Sequence, residues 1–374
     1  RGTIEPADVF VKNWELLPPR ATLRLIAMND MHGAFRKRPD GSLGNRGGFA
    51  EIATMVRQAR AECAPMCTTL LLSGGDLFTG TPPSDLTTGA AVVPVLNAMG
   101  FAAHALGNHE FDYGQDTLRA RMRGLHARVL GANVTYADGR DVGWIPNDTL
   151  IATPVGTVGV VGLADPNTPL TTMPAHVADL RFAPLVPVIR RHAESLRARG
   201  ARYVVVVAHE GAFCNIDNPD DCRGDIIEVA RELGRGVVDA IVSGHTHSAV
   251  STIVEGIPIV QARSSTRALG VIDLPLDSRV PQPRPDVREV KSDSIVPDPE
   301  VGALVASAVA AVADRVSAFV VNNESTLPRR GEQYALGNLI ADAQRAAGRG
   351  DIGVMNNGGI RADLRAGEVR WGDL

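Results

Sequence analysis

The sequence lacks any long run of apolar residues. The longest, such as YVVVVA at 203–208, have the length of a strand, and none approaches the roughly 20 residues of a membrane-spanning helix. Positive charge is not in excess either, because 38 Lys and Arg stand against 42 Asp and Glu, a formal net charge of −4. A broad basic surface is therefore not expected, which argues against binding of a nucleic-acid polymer. We expect a globular protein without a transmembrane segment.

Cysteine is scarce, and its placement bears on the compartment. The four cysteines form two close pairs, Cys63/Cys67 and Cys214/Cys222. Such pairs suit two small disulfides and an oxidising compartment. Four reduced thiols are the alternative, whereas a four-thiolate zinc site is disfavoured by the wide spacing of the second pair. The sequence starts at Arg1 without an initiating Met or a signal peptide, so we expect either a processed chain or an expressed portion of one, from which any targeting segment is gone.

Strand-like runs alternate with helical patterns along most of the chain. Apolar runs that predict strands occupy 22–28, 69–76, 158–165, 203–211 and 237–245. Helical spacing of apolar residues occurs over 49–62, 90–100 and 185–200. Strands that alternate with helices indicate a layered α/β domain.

The chain of 374 residues is too long for one ordinary hydrophobic core, which suggests two domains. A Pro-rich, charged stretch at 278–299 leads to a boundary, and an Ala- and Val-rich stretch at 299–320 predicts a long helix. The second domain contains a predicted helix at 335–348 and a predicted strand at 351–357, and about fifty residues are too few to complete it. We therefore divide the chain into an N-terminal extension (1–21), a first domain (22–297), a linker helix (298–321) and a partial second domain (322–374).

Five polar clusters share one position, directly after an apolar run. They are NDMHG with Asp30 and His32, GGD with Asp76, GNHE with Asn108 and His109, AHEG with His209, and SGHTH with His245 and His247. In α/β sheets, ligands bind outside the carboxyl ends of the strands. We therefore expect the five loops to meet at one edge.

The residue types in these loops predict a metal site. The spacing of two residues in Asp30/His32 and in His245/His247 places both side chains of a pair on one face where the backbone is extended. Imidazole, carboxylate and amide ligands favour zinc, manganese, iron or cobalt over calcium or magnesium. Seven candidate ligands are too many for one tetrahedral ion, so we expect two divalent ions that share a carboxylate. With a bridging hydroxide the site would carry a charge of about +1, which attracts phosphate.

The ordered series D-x-H, G-D, G-N-H-E, H and G-H-x-H resembles that of the dinuclear, calcineurin-like metallophosphoesterases. Two further motifs, ALGNLIADA at 335–343 and NNGGIRADL at 356–364, narrow the resemblance to the secreted 5′-nucleotidase family. The similarity covers about residues 22 to 374. It implies a four-layer α/β sandwich, followed by a linker helix and the start of an α/β nucleotide-binding domain.

The resemblance also implies a role for each residue of the five loops. Carried over position by position, it assigns Asp30, His32 and His247 to the first ion, Asn108, His209 and His245 to the second, and Asp76 to both as a bridge. His109 would stabilise charge that develops on the transferring or leaving oxygens. Asp112, three residues further on, would orient His109 and hold it protonated.

The implied activity is hydrolysis of nucleoside 5′-monophosphates to nucleoside and phosphate by a metal-bound hydroxide. In the family, the second domain holds the nucleoside. Arg330, Asn356 and Arg361 match its substrate-contacting positions, Arg330 less securely because Arg329 adjoins it. The aromatic pair that sandwiches the base in the family would lie beyond Leu374.

Several alternatives use the same metals. One is a 2′,3′-cyclic-nucleotide phosphodiesterase with 3′-nucleotidase activity, another is hydrolysis of nucleotide sugars or nucleoside diphosphates, and a more distant one is cleavage of sulfur–sulfur bonds. A secreted binding protein that keeps the fold without the activity belongs to a different class, and the complete set of ligand residues argues against it. Many bacterial relatives are periplasmic, so the resemblance implies a periplasmic or secreted protein. The oligomeric state stays open.

Overall fold

The computed structural model describes residues 22–63, 67–215, 218, 220–276, 282–329, 333–360 and 362–374. The predicted extension, residues 1–21, lies outside these ranges. The chain divides into two compact units between Ala308 and Val309.

In the described residues, two six-stranded sheets and three two-stranded ones contain the strands of the first unit. Its strands are β1 (Thr22–Met28), β2 (Arg38–Pro39), β3 (Asn45–Arg46), β4 (Cys67–Ser73), β5 (Ala103–Ala105), β6 (Arg128–Leu130), β7 (Val134–Tyr136), β8 (Asp148–Ile151), β9 (Val158–Leu163), β10 (Leu180–Phe182), β11 (Tyr203–Ala208), β12 (Phe213–Cys214), β13 (Cys222–Arg223), β14 (Ala240–Val242), β15 (Ala249–Val254), β16 (Ile257–Ala262), β17 (Ala268–Pro275) and β18 (Asp286–Glu289). The first sheet has the order β18-β17-β1-β4-β5-β6, and the second has the order β15-β16-β14-β11-β9-β8. Strands β1, β4, β5 and β6 run parallel, as do β9, β11, β14 and β16, while antiparallel strands flank these groups.

Eight α-helices accompany these strands along the described residues up to Ala310. They are α1 (Phe49–Cys63), α2 (Pro82–Asp85), α3 (Val92–Met99), α4 (Gln115–Gly124), α5 (Thr168–Thr171), α6 (Leu185–Ala198), α7 (Asp225–Leu233) and α8 (Pro299–Ala310). Helix α1 packs on β4 and β17 of the first sheet, and α6 packs on β9 and β11 of the second. The order helix, sheet, sheet, helix confirms the predicted four-layer α/β architecture.

Strand β11 shows why its sequence is apolar without interruption. Val205 and Val207 pack into the core between the two sheets. Val204 and Val206 point the other way and pack with residues of α6 and α7. Both faces of the strand are therefore buried, and a parallel strand of this kind has no polar face to alternate with the apolar one.

The two cysteine pairs are disulfides, Cys63–Cys67 and Cys214–Cys222. The second joins the paired strands β12 and β13. Both pairings agree with the prediction from sequence.

The second unit contains the helices α9 (Ala313–Val316) and α10 (Ala335–Gly348) and the strands β19 (Phe319–Asn323) and β20 (Gly367–Arg370). The two strands pair in antiparallel fashion. Its small core consists of Leu336, Ile360, Leu364 and Val369.

Two predictions for this part of the chain are wrong. The single helix expected over 298–321 is interrupted: α8 ends at Ala310, α9 ends at Val316, and β19 follows. Pairing with β20, more than forty residues later, holds Phe319–Asn323 extended, and a local pattern cannot show such a partner. The strand expected at 351–357 does not form, since no described strand pairs with it, and its Ile352 and Val354 are exposed.

Candidate metal centre

The parallel strands end at one edge of the sandwich, and polar loops follow them there. Asp30 follows β1, Asp76 follows β4, Asn108 follows β5 and His209 follows β11, each within a few residues of the strand. Backbone hydrogen bonds tie the first two loops together, from Asp30 N to Gly75 O at 2.9 Å and from His32 N to Asp76 O at 3.1 Å. The loops meet as the strand-end rule predicted.

Asp30, His32, Asp76 and His247 form one group, whose potential ligand atoms all lie within 4.8 Å of one another. The Nε2 atoms of His32 and His247 are 2.9 Å apart, and Nε2 of His247 lies 3.3 Å from Oδ1 of Asp30. Both carboxylates are almost completely buried. This arrangement offers two imidazole nitrogens and two carboxylate oxygens to a single cation.

Asn108, His209 and His245 form a second group beside the first. Nε2 of His209 lies 3.0 Å from Oδ1 of Asn108 and 3.2 Å from Nδ1 of His245. Oδ2 of Asp76 lies 3.2 Å from this Nε2 atom and 3.7 Å from Nε2 of His32 in the first group. One oxygen atom of Asp76 is therefore within reach of both groups.

Backbone carbonyls set the orientation of two of these rings. Nδ1 of His32 lies 2.9 Å from Thr79 O, and Nδ1 of His209 lies 2.8 Å from Gly74 O. A carbonyl can only accept, so each Nδ1 carries the proton, and each Nε2 of the neutral ring turns its lone pair toward the cluster. Lone pairs that converge with carboxylate and amide oxygens repel unless a cation lies between them. The residues present therefore fit divalent metal ions.

The pKa values agree with a site that needs cations. Burial lowers the pKa of His32 to about 4, although Asp76 and Asp30 oppose the change, so this ring is neutral at pH 7. Burial also disfavours protonation of His209, but Asp76, together with Asp30 and the carbonyl of Gly74, raises the pKa to about 10 when no ion is bound. Either a proton or a metal ion must therefore offset the charge of Asp76 at His209.

The backbone is left-handed at several of these residues. Positive φ angles occur at Asp30 (47°), His32 (50°), Asp76 (54°), His245 (74°) and His247 (57°). Non-glycine residues rarely adopt this conformation, and such strain is concentrated at functional sites. The prediction of an extended backbone at Asp30/His32 and at His245/His247 is therefore wrong. Tight turns bring Asp30 and His32 to the same group and divide His245 and His247 between the two groups.

His109 stands at the border of the first group. Its ring centroid lies 5.2 Å from that of His32, and its backbone N donates to Oδ1 of Asp76 at 3.1 Å. Nδ1 lies 2.6 Å from Oδ2 of Asp112, and Thr172 Oγ1 donates to the other oxygen of Asp112 at 3.0 Å. Burial opposes a charged ring, but Asp76 and Asp112 together raise the pKa of His109 to about 9.

Three buried residues support the ligands and were not among the predicted site residues. Glu110 accepts hydrogen bonds from the backbone N of Asp76, Leu77 and Gly107 at 2.7–2.9 Å. Asn29 Nδ2 donates to Asp30 Oδ2 at 2.6 Å. Asp165 Oδ2 lies 3.6 Å from Nε2 of His245. Asp165 follows the apolar run of β9, so the same strand-end rule could have identified it.

The residues predicted to contact the nucleoside belong to the second unit. Asn356 is exposed, and its side chain accepts a hydrogen bond from Gly359 N at 2.8 Å, which caps a short 3₁₀ turn. Arg330 and Arg361 lie outside the described residues. Within the described ranges, no helix is long and apolar enough to span a membrane.

Two family models match the chain. Residues 23–249 match the calcineurin-like phosphoesterase model, and residues 308–374 match the model of the 5′-nucleotidase C-terminal domain. The first match covers more than half of the chain.

Known proteins are similar over most of the chain. The protein Endonuclease YhcR of Bacillus subtilis is 27% identical, with 94% of this chain and 30% of the relative covered. A 5′-nucleotidase of Vibrio cholerae is 26% identical, with 94% and 70% covered. The crystal structure of a 5′-nucleotidase precursor from Thermus thermophilus superimposes with a TM-score of 0.75 at 22% identity, over 94% of this chain and 72% of that one. The chain thus spans less than a third of the length of the Bacillus subtilis relative and about seven tenths of the length of the other two.

Proposed function

The chain belongs to the calcineurin-like phosphoesterase family, and on this premise we propose that it hydrolyses nucleoside 5′-monophosphates to nucleoside and phosphate. The family implies divalent metal ions, and the buried cluster provides residues that fit them. The C-terminal match to the 5′-nucleotidase family supports a nucleotide as the substrate.

The observation that carries the proposal is the position of Asp76 between two groups of ligand atoms. Its Oδ2 atom lies 3.7 Å from His32 Nε2 in one group and 3.2 Å from His209 Nε2 in the other. Its Oδ1 atom is held separately by the backbone N of His109. A carboxylate held in this way is suited to bridge two ions.

The ligand sets follow from these two groups. Asp30, His32 and His247 would hold one ion, Asn108, His209 and His245 would hold the other, and Asp76 would contact both. Two such ions would polarise phosphoryl oxygens and lower the pKa of a water molecule. Zinc or manganese suits the mixed donors best, with iron and cobalt as further candidates.

The residues themselves favour a phosphate dianion. The two buried carboxylates Asp30 and Asp76 contribute a charge of −2, and the histidines at the ligand positions are neutral when they bind a metal. Two divalent ions would therefore leave the site positive by about two units, which attracts an anion.

His109 would act on the oxygens of the phosphate group. Its Nδ1–H is held by Asp112, so Nε2 is the atom left to face a substrate. Without metal ions, Asp76 and Asp112 raise the pKa of the ring to about 9, and with ions bound Asp112 stays against Nδ1 and continues to favour a protonated ring. From Nε2, His109 would donate a hydrogen bond to the phosphoryl or leaving oxygen as negative charge develops there.

The proposed roles divide between the two domains inferred from the sequence. The catalytic residues all lie within residues 22–297, and Arg330, Asn356 and Arg361 of the second domain would contact the nucleoside. The two disulfides and the family resemblance favour a location outside the cytoplasm, periplasmic or secreted.

The test is phosphate release from a panel of substrates by the manganese- or zinc-loaded protein. The panel contains the nucleoside 5′-monophosphates, 3′-AMP, 2′,3′-cyclic AMP, ADP, a nucleotide sugar and p-nitrophenyl phosphate. We expect activity on 5′-monophosphates, its loss on chelation and its recovery when metal is restored. A preference for the cyclic nucleotide or the nucleotide sugar would replace the proposed substrate with one of the alternatives. No release from any ester by the loaded protein would contradict the proposed reaction.

A further inference from the structure

A cavity of about 390 Å³ lies at the edge of the first sheet, between helix α4 and strand β6. Its walls include Arg119 and Arg123 of α4, Arg128 of β6, and Trp144. Strand β6 runs parallel to β5, whose carboxyl end leads to Asn108. Since Arg128 is the first residue of β6, it lies at the opposite end of the sheet from the metal centre.

The cavity carries positive charge that the protein itself does not neutralise. Arg119, Arg123 and Arg128 are all exposed, and none of their side chains makes an ion pair or a hydrogen bond to a residue that the structure describes. No Asp or Glu is among the described residues that line the cavity, whereas His126 is. Arg119 and Arg123 lie one helical turn apart, where like charges destabilise a helix. The three guanidinium groups are therefore open to an anion from solution.

An aromatic ring completes the cavity. The guanidinium carbon of Arg119 lies 5.4 Å from the ring centroid of the half-buried Trp144. A comparable pair elsewhere, Arg140 over Tyr136 at 5.5 Å, has its charge neutralised by Asp138. Arg119 has no acidic partner among the described residues, as is also true of Arg315 over Trp371, so its charge remains available to a ligand of this cavity.

We propose that this cavity binds a nucleoside diphosphate, at a site separate from the metal centre. Guanidinium groups pair with phosphate oxygens through two parallel hydrogen bonds, and three of them surround the cavity. Indole and guanidinium planes both stack on the flat ring of a base. The volume falls within the range of small-molecule sites. The site does not depend on the proposed reaction, because it shares no residue with the metal ligands.

The test uses the methylene analogue of ADP, which is resistant to cleavage between its two phosphates. Binding is measured by calorimetry on the metal-loaded protein, on the double variant Arg123→Ala/Arg128→Ala, and on Arg140→Ala as the matched control. We expect the native protein to bind one equivalent more than the double variant, or to bind the analogue at least about tenfold more tightly. Arg140→Ala should bind like the native protein, and all three should release p-nitrophenol from p-nitrophenyl phosphate at the same rate.

Two further measurements separate this site from the metal centre and identify its ligand. The additional binding should persist in Asp76→Asn, whose metal centre is impaired, and should weaken as salt is raised. Adenosine and inorganic pyrophosphate should each bind more weakly than the ADP analogue. Equal stoichiometry and affinity in native protein and double variant would overturn the proposal. Equal affinity for pyrophosphate and for the analogue would overturn the assignment of a base to Trp144.

Discussion

His109 and Asp112 are joined by a hydrogen bond of 2.6 Å between Nδ1 of the ring and Oδ2 of the carboxylate. Thr172 donates to the remaining oxygen of Asp112, so the carboxylate is fixed from both sides. The ring is consequently held in one orientation, with a proton on Nδ1, beside the metal ligands. A residue held in this way can stabilise charge without itself binding a metal.

The first prediction concerns His109→Ala. We expect turnover to fall by about 10²–10³, the scale for loss of one preorganised electrostatic contact, with no change in metal content. The loss should be larger for AMP than for p-nitrophenyl phosphate, because a good leaving group needs less stabilisation. Steady-state kinetics and elemental analysis of the same samples check this. Unchanged turnover at full metal occupancy would remove His109 from the catalytic residues.

The second prediction concerns Glu110, which holds two site loops through three backbone N–H groups. Glu110→Gln keeps the size of the side chain but replaces one accepting oxygen with an amide nitrogen that cannot accept. We expect a loss of about 1–3 kcal/mol in the free energy of unfolding, the cost of an unsatisfied buried group, and weaker metal binding. Denaturant unfolding and metal titration test this. Glu194→Gln, on the exposed surface of α6, is the control and should change neither quantity. Normal metal affinity in Glu110→Gln would show that the loops do not need Glu110.

The third prediction concerns His104, a buried histidine on β5. Neither ring nitrogen has a partner among the described residues, and burial lowers its pKa to about 3. The unfolded chain takes up a proton at this residue below about pH 6.5 while the folded protein does not, so stability is lost as pH falls from 6.5 toward 3. At pH 5 the loss amounts to about 2 kcal/mol.

His104→Leu should remove this pH dependence. We expect the variant to match or exceed the stability of the native protein at pH 8, and its advantage to grow by about 2 kcal/mol at pH 5. Urea unfolding at the two pH values measures the difference, and His126→Gln, a change at an exposed histidine, should show no such growth. An equal pH dependence in His104→Leu and native protein would mean that the ring of His104 is hydrogen-bonded or protonated in the folded protein.

The residues that come together at the site could be predicted from the sequence, because each loop is recognisable from its own few residues and parallel strands always end at a common edge. Each polar cluster directly follows an apolar run, and parallel strands end at one edge of a sheet. Asp165, just after β9, obeys the same rule. The supporting contacts of Glu110 could not be predicted, since they depend on how the loop after β4 faces the loop after β5.

The sequence predicted the layers of the first unit well and parts of the second unit poorly. Buried parallel strands such as β11 are recognisable because both faces are apolar. Residues 299–320 are Ala- and Val-rich, and most of them are helical, but the helix does not reach residue 320 because β19 begins at Phe319 and pairs with the distant β20. The pattern at 351–357 suits a strand, but a strand also needs a neighbour to accept its hydrogen bonds.

The most direct test counts the metal ions bound per chain at saturating manganese or zinc, by elemental analysis of native protein, Asp30→Asn and Asp76→Asn. Asp30 belongs to one group of ligands, whereas Oδ2 of Asp76 lies within reach of both. We expect close to two ions in the native protein, about one in Asp30→Asn, and a loss that affects both ions in Asp76→Asn. A single ion in the saturated native protein, or two ions retained in Asp76→Asn, would contradict the shared carboxylate on which the account rests.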